Sequence, residues 1–197
     1  MPERVARIRI ELRGTRPRVW RRVDVPLSYT LLSLHEVIQA AFEWHGGHLW
    51  DFEIDGERYS DPAFDEFVEP DPFGWSSSDA SKIRVQRIVD LGIKKFNYTY
   101  DYGDDWRHIL TVLRVIAADP ATNYPALVAG SCRSPDDDCG GTWGFYDIAD
   151  AASDPSHPRR QEYEEWKGEG YLESFDLNDY DPEWVRTRLA MVAEDIG

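Results

Sequence analysis

Apolar and polar residues alternate strictly in the first part of the chain, a pattern typical of β-strands with one face in water. Residues 5–13 place isoleucines and a leucine on one face and arginines and a glutamate on the other. Residues 18–25 and 48–54 alternate in a similar way, so three strands are predicted here. Asp55-Gly56 follows the third strand directly, and this dipeptide is a strong signal for a two-residue hairpin.

Four segments repeat their apolar residues at helical spacing, and each predicts a helix. The first covers residues 34–43, where Ser33 and Glu36 have the spacing of a capping box. The other predicted helices cover residues 145–152, residues 158–167 and a C-terminal segment that starts at Asp181-Pro182, where proline suits the first helical position.

Two more strands are predicted at residues 96–102 and 106–116, and a short polar turn joins them as a hairpin. Residues 61–80 and 117–144 are rich in turn-forming and polar residues and are interpreted as loops. Residues 82–88 fit either a strand or a short helix.

The order of elements, strands first and helices last with one helix inserted early, predicts an α+β fold. We expect a largely antiparallel or mixed β-sheet, with the early helix and a C-terminal group of helices packed on it. The whole chain, residues 1–197, is interpreted as a single domain with a sheet-rich part (1–116), a loop (117–144) and a helical part (145–197). The last helix is expected to bury Trp184, Val185, Leu189 and Val192.

The charge of the chain limits its partners. The net charge is −15, yet residues 1–35 contain eight arginines against three acids, so the rest of the chain carries −20. Such an acidic surface repels nucleic acid, which only the N-terminal arginines could contact, and it favours a protein or a small polar ligand as partner. In the alternative interpretation, these arginines pair with the acidic remainder. The candidate docking residues are Arg18, Trp20, Arg21 and Arg22.

Nothing in the sequence predicts a membrane protein. No apolar run approaches the roughly 18 residues that a membrane span needs. The N-terminus has no apolar stretch like that of a secretory signal. A cytoplasmic protein is therefore expected.

The turn of the predicted hairpin, YDYGDDWRH at residues 100–108, concentrates unusual chemistry. Its three aspartates repel one another, which predicts the rim of a site for a cation or a polar ligand. Carboxylates supply oxygens to magnesium or calcium, and His108 could serve as a base or as a ligand to a softer metal. In the structural alternative, Asp104 or Asp105 accepts backbone amides, and His108 shares an apolar face with Trp106.

A second acidic segment, CRSPDDDCGG, starts at Cys132. Six residues separate Cys132 from Cys139, too many for an ordinary zinc knuckle, so two free thiols are favoured over a zinc site or a disulfide. Three consecutive aspartates between them favour exposure. The glycine pair that follows suits a close approach to a ligand or to another loop.

His45 and His48 flank two glycines after the first predicted helix. This spacing can bring two imidazoles together, and with the cysteines or His108 they could complete a zinc site. It can equally place cationic side chains at the helix end. The capping interpretation is favoured.

Four segments occur in an order that resembles a known family. The chain is similar to the plasmid pRiA4b open-reading-frame-three-like family, also seen as passenger TnpR-like proteins of insertion elements. The resemblance runs to about Leu189 and implies a single α+β domain from bacteria, archaea and mobile elements, with no established activity. No nucleophilic serine with clustered arginines supports the resolvase chemistry of the TnpR label. The segments are RPRVWRR, LHEVIQAAFEWHGGHLWDF, YDYGDDWRH and CRSPDDDCGGTWGFY, which begin at Arg16, Leu34, Tyr100 and Cys132.

The chain departs from the family pattern in two places. Glu43 stands where the family usually has glycine before the tryptophan, and the run after Cys132 is Ser-Pro-Asp-Asp-Asp instead of two prolines with a Glu-Asp pair. The second change keeps the acidity of this segment but alters its loop geometry.

Phosphate loops, nucleophile elbows and dinucleotide fingerprints are absent from the sequence. We therefore expect a non-catalytic module that binds a ligand or partner in an acidic groove. The alternatives are a metal-dependent hydrolase or nuclease with a divalent metal and His108 as base, and a nucleic-acid accessory protein. The candidate ligand-binding residues are Tyr100, Asp101, Asp104, Asp105, Trp106, Asp136, Asp137, Gly140 and Gly141, and the candidate metal ligands are Asp104, Asp105, His108, Cys132 and Cys139.

Overall fold

An eight-stranded β-sheet runs through the computed structural model, which describes residues 3–64 and 77–196. The strand order is β5-β4-β3-β6-β7-β1-β2-β8, and each neighbouring pair is antiparallel except β4–β5. The strands are β1 (Arg4–Leu12), β2 (Trp20–Pro26), β3 (Trp50–Ile54), β4 (Glu57–Ser60), β5 (Ser78–Asp79), β6 (Lys95–Tyr100), β7 (Trp106–Ala117) and β8 (Ala126–Ser131).

Five α-helices accompany this sheet in the described residues. The last of them, α5, packs against α1 and against β8 at the edge of the sheet. The prediction of an α+β fold with a mixed sheet and a C-terminal helix packed on it is confirmed. The helices are α1 (Leu31–Phe42), α2 (Val85–Asp90), α3 (Gly141–Ser153), α4 (Arg160–Lys167) and α5 (Pro182–Ile196).

One face of the sheet forms the core, as the alternation in β1 predicts. Ile8, Ile10 and Leu12 are buried, whereas Arg7 and Arg9 lie half-buried on the opposite face. Burying each such aliphatic side chain stabilises the fold by about 1.5–3 kcal/mol. The polar face is partly exposed along β1 and at Trp20 and Arg22 in β2, whereas Asp24 is buried.

Helix α1 begins three residues earlier than predicted. Its N-cap is Thr30, whose hydroxyl accepts a hydrogen bond from the amide of Ser33 at 3.0 Å, so the predicted cap at Ser33 is wrong. The helix starts early because Leu31 is buried and extends the apolar stripe. At its other end, Glu43 has φ of 65°, a left-handed conformation that glycine adopts without cost. The glycine that the family resemblance implies at this position would therefore fit the same backbone.

Two predicted loops contain regular structure. The segment interpreted as irregular between β7 and α3 includes β8, which pairs with β2. Helix α3 begins at Gly141, four residues before the predicted start. The segment 61–80, also interpreted as a loop, contains the two-residue strand β5. Its residues 65–76 lie outside the described part of the chain. Helix α2 resolves the ambiguity at residues 82–88 in favour of a helix.

The prediction that the last helix buries Trp184 is wrong. Val185 and Leu189, four residues apart, face the core, but Trp184 is 46% exposed at the start of α5. Val192 packs half-buried against the core. No helix in the described part of the chain is long and apolar enough to cross a membrane.

Arg21 is completely buried, with 0% of its surface exposed, so its prediction as a docking residue is wrong. The guanidinium carbon lies 4.2 Å from the ring centroid of Tyr180, in a cation–π contact. The nearest carboxylate is that of Glu43, at 3.9 Å. Burial lowers the pKa of Arg21 to about 10, which still leaves it charged at pH 7. Its hydrogen bonds, all of 2.9–3.0 Å, reach the carbonyl oxygens of Trp20, Ala41, Ser131 and Cys132 and the hydroxyl of Ser134.

His108 is also sealed in the core, so its roles as base and metal ligand are wrong. Its ring packs against Phe42 and Trp44, with centroids 4.9 and 5.4 Å away. Neither ring nitrogen makes a hydrogen bond of normal geometry, and burial lowers the pKa of His108 to about 3. His35 is buried as well, with its pKa lowered to about 3 by burial, and its Nδ1 lies 2.7 Å from the hydroxyl of Tyr98.

Replacing Arg21 should destabilise the fold strongly. In Arg21→Ala, four carbonyl groups lose their donor, and we expect the free energy of unfolding to fall by at least about 3 kcal/mol. The exposed Arg18→Ala is the matched control and should change it by less than about 0.5 kcal/mol. Urea denaturation measures both, and equal effects would contradict the structural role of Arg21.

Acid should destabilise the protein through its buried histidines. The pKa of each histidine lies near 3 in the folded state and near 6.5 in the unfolded state. The stability that depends on their remaining neutral is therefore fully present above pH 6.5 and is lost as the pH falls towards 3. Each histidine should contribute about 1.4 kcal/mol per pH unit in that window. Urea unfolding between pH 7 and 5 measures the slope of the unfolding free energy against pH. His108→Gln should reduce this slope, whereas the exposed Arg18→Ala, which removes no histidine, should leave it unchanged. An unchanged slope in His108→Gln would contradict the assignment.

Candidate functional site

Asp101 shapes the turn between β6 and β7, residues 101–105, called the acidic turn below. Its Oδ1 accepts hydrogen bonds from the amides of Gly103 (2.9 Å) and Asp104 (3.2 Å). Asp101 and Asp105 both have positive φ, which a short acidic side chain tolerates better than most residues. The prediction that Asp104 or Asp105 organises the turn is wrong, because the first aspartate has the geometry to accept the following amides.

The loop between β8 and α3, residues 132–140, is called the cysteine loop, and it lies against the end of α1. The indole of Trp44 donates to the carbonyl oxygen of Pro135 at 2.8 Å, and the amide of His45 donates to Asp137 Oδ2 at 2.9 Å. Together with the bonds of Arg21 to this loop, these contacts fix where its aspartates lie.

The acidic turn and the cysteine loop touch each other. The amide of Gly140 donates to Asp104 Oδ2 at 3.2 Å. At Gly141, a Cβ would lie only 2.7 Å from the carbonyl oxygen of Asp104, and φ is +67°. Glycine is therefore required for a close approach to another loop, one of the two roles that the sequence predicts for this pair.

His48 lies between carboxylates from both loops. Its Nδ1 is 3.7 Å from Asp101 Oδ2, and its Nε2 is 3.3 Å from Asp138 Oδ1. Asp101 is buried, His48 is half-buried and Asp138 is 68% exposed. Because α1 ends at Phe42, the interpretation of His48 as a helix cap is wrong.

The hydroxyl of Tyr100 points towards the same group of carboxylates. Tyr100 is 0% exposed, and neither its hydroxyl nor the buried Oδ1 of Asp137 makes a hydrogen bond of normal geometry. Burial, then the charge of Asp137 and a hydrogen-bonding contact with it and, more weakly, the charges of Asp101 and Asp138, raise the pKa of Tyr100 well above its usual range. Its ring also contacts His48 edge-on, with 5.7 Å between centroids.

Other predicted site residues have partners elsewhere. Asp105 forms an exposed ion pair with Arg107 at 2.7 Å. Asp136 accepts from the hydroxyl of Tyr171 at 2.7 Å and from Lys167 at 2.9 Å, which lower its pKa although burial opposes this. Neither residue faces His48 in the described contacts.

Three predicted metal or ligand residues are in the interior. Cys132 and Cys139 are free thiols, and burial raises the pKa of Cys139 above its ordinary value. Trp106 is buried in the core beside Trp44, with ring centroids 6.1 Å apart. Among the described residues, one group of three potential ligands brings its atoms within 4.8 Å, and it consists of His48, Asp101 and Asp138.

A cleft of about 310 Å³ opens beside the cysteine loop and is called the acidic groove. The start of α5 forms its other wall, where Trp184 is exposed and Arg188 donates to the carbonyl oxygen of Trp44. The charged groups that line it are Glu43, Asp136, Asp137, Asp179 and Asp181 on the acidic side, and Arg133, Lys167 and Arg188 on the basic side.

A second cavity of about 410 Å³ lies on the polar face of the sheet. Its lining has acids and arginines in equal number, so it favours neither sign of charge. The charged groups are Asp51, Glu53, Asp105, Arg13, Arg58 and Arg107.

The candidate docking residues apart from Arg21 lie towards this polar face. The guanidinium groups of Arg9 and Arg22 lie 4.2 and 5.4 Å from the ring of Trp20, which is half-buried between them. Arg18 is exposed, 3.5 Å from Glu11. In the described residues, the N-terminal arginines pair mostly with two acids of their own segment, Glu11 and Asp24. Among them, and within the described part of the chain, Arg21 alone reaches a later acid, Glu43.

The comparisons with known proteins identify the family. The model of the family "Plasmid pRiA4b ORF-3-like protein" matches residues 4–186. The chain belongs to this family. The resemblance stated from the four sequence segments is therefore confirmed, over nearly the whole chain.

Two relatives of the pRiA4b ORF-3-like chain show how widely the fold occurs. The uncharacterized protein y4hQ of Sinorhizobium fredii (strain NBRC 101917 / NGR234) is 35% identical over 175 residues, covering 88% of this chain and 86% of that protein. The crystal structure of a protein of unknown function, MM3350 from Methanosarcina mazei Go1, has a TM-score of 0.77 at 28% identity, covering 93% and 98% of the two chains. Neither name carries an activity.

Sequence reasoning gave too little weight to His48 and Asp138. The missing information was strand pairing: Trp50 in β3 lies opposite Tyr100 in β6, and the amide of Asp101 donates to the carbonyl oxygen of Leu49. This register places His48 beside the acidic turn. The available signal was a histidine at the first position of a predicted strand, residues 48–54.

The contact between the two loops predicts a position-specific effect of alanine. Gly46→Ala has only the left-handed conformation to accommodate, because nothing lies within 4 Å, and should cost about 1 kcal/mol. Gly141→Ala adds the clash with the Asp104 backbone and should cost about 1–3 kcal/mol more. Urea denaturation gives both values, and equal losses would show that the loops do not meet as described.

Proposed function

We propose that this protein is a non-catalytic binding module whose acidic groove receives the cationic group of a small polar ligand or of a partner protein. The observation that carries the proposal is the exposed indole of Trp184 in a concave, carboxylate-rich cleft. An aromatic face attracts a cation, and neighbouring carboxylates add charge complementarity.

Not every carboxylate of the groove is available to a ligand. Asp136 is neutralised by Lys167 and Arg133, and Glu43 faces the buried charge of Arg21. The remaining negative charges belong to the cysteine loop and to the segment that leads into α5. They are Asp137, Asp179 and Asp181, and the positive charge of Arg188, which interacts with Glu43 and Asp137, offsets them in part.

The alternatives fit the geometry less well. A hydrolase or nuclease with His108 as base has no accessible base at that position, because the ring is fully buried. A nucleic-acid accessory role relies on the N-terminal arginines, of which Arg21 is buried and Arg7 and Arg9 pair with Asp24 and Glu11.

As part of the binding proposal, Arg18 and the Arg9–Trp20–Arg22 stack offer a protein partner a second contact area.

The proposal predicts selective binding of cations in the groove. Agmatine, which carries a guanidinium and an amine, should bind by calorimetry at about 0.15 M ionic strength, whereas glutamate and glucose should not. A cation–π contact is worth about 0.5–2 kcal/mol, so Trp184→Ala should weaken the binding of agmatine by about two- to thirtyfold. Asp137→Asn should also weaken it.

The control separates the groove from the general acidity of the chain. Trp166 has a similar exposure but is not part of the groove lining, so Trp166→Ala should leave agmatine binding unchanged. Equal losses in Trp184→Ala and Trp166→Ala, or agmatine binding no tighter than glucose, would refute the proposal.

A further inference from the structure

Three side chains from separate segments converge where the two acidic loops meet. His48 precedes β3, Asp101 opens the acidic turn, and Asp138 belongs to the cysteine loop. One ligand atom from each lies within 4.8 Å of the others. We infer that His48, Asp101 and Asp138 bind a divalent transition-metal ion that bridges the acidic turn and the cysteine loop.

The donor set selects the class of metal. Magnesium and calcium take oxygen ligands, whereas imidazole suits zinc, iron, nickel and copper. One imidazole with two carboxylates therefore fits Zn²⁺ better than Mg²⁺ or Ca²⁺. Zinc–ligand distances near 2.0–2.2 Å place neighbouring ligand atoms about 3–4 Å apart, so the three ligand atoms, which lie within 4.8 Å of one another, need to approach by only about an ångström.

The three side chains differ in how far they must move to coordinate one ion. The two nitrogens of His48 face different carboxylates, so an ion takes one of them. Asp101 is held by its own turn, which fixes one ligand in place. Asp138 is largely exposed, and its carboxylate is free to move by the ångström or so that coordination requires.

Tyr100 provides an independent indication that something binds here. Its hydroxyl is fully buried without a hydrogen bond of normal geometry, and the carboxylate that it contacts, Asp137, has its buried Oδ1 in the same state. Buried polar groups in native proteins are almost always well paired, so such exceptions point to an ion or water at that position.

The inference does not depend on the acidic groove. His48, Asp101 and Asp138 are not among the groove residues, so the two proposals fail separately. The competing explanation is that His48 pairs with the two carboxylates without any metal. The two explanations differ in whether Zn²⁺ binds with a defined stoichiometry.

Calorimetry on the metal-free full chain at pH 7 tests the inference. One Zn²⁺ ion should bind per chain with a Kd below about 10 µM, at least about tenfold tighter than Mg²⁺. The melting temperature should rise by about 5–10 °C when the ion is present at a hundredfold excess over its Kd. His48→Gln and Asp138→Asn should each weaken binding at least about tenfold.

The control residue is Asp105, which lies in the acidic turn with Asp101 but is not one of the proposed ligands. Asp105→Asn removes one charge but no ligand, so it should leave affinity within about twofold. Asp138→Asn changes an exposed residue, and its metal-free melting temperature should match that of the wild type. Absence of 1:1 binding, retention of full affinity in His48→Gln, or an equal loss in Asp105→Asn would overturn the inference.

Discussion

The guanidinium of Arg21 carries a positive charge in the interior, where it joins the sheet, the end of α1 and the cysteine loop. Removing a charge from water is unfavourable, and burial indeed lowers the pKa of Arg21 to about 10. Four carbonyl oxygens, one hydroxyl and the ring of Tyr180 offset that cost. A planar fork with five donors suits this task, because one side chain satisfies acceptors from three segments at once. The cysteine loop has its position because this group holds it.

The candidate site follows from that position. Once the cysteine loop lies against α1, its aspartates face the acidic turn, and only glycine at 141 lets the two backbones approach. Carboxylates from both loops then surround His48 and the hydroxyl of Tyr100. Like charges brought together in this way repel one another, and a bound cation would relieve that repulsion. The groove beside α5 depends on the same loop, since Asp137 forms part of its wall.

Local pattern was sufficient to predict most of the strands, the α+β class and the hairpin that carries the acidic turn, because alternation and turn residues are properties of neighbouring positions. It was insufficient for β8, an edge strand of weak pattern that exists through its pairing with β2. Arg21 was predicted as a surface residue because arginine is almost never buried without partners, and its partners come from distant segments. His48 was undervalued for the same reason: its neighbours depend on the register between β3 and β6, which the sequence does not reveal.

The most direct test of this account is hydrogen–deuterium exchange, measured by mass spectrometry on the wild type and on Arg21→Lys. Lysine keeps the charge but lacks the planar fork, so it cannot serve the same acceptors. The account predicts faster exchange in peptides that cover residues 131–140, with unchanged exchange in the β6–β7 hairpin. Unchanged exchange in the cysteine loop of the folded variant would contradict the claim that Arg21 holds this loop in place.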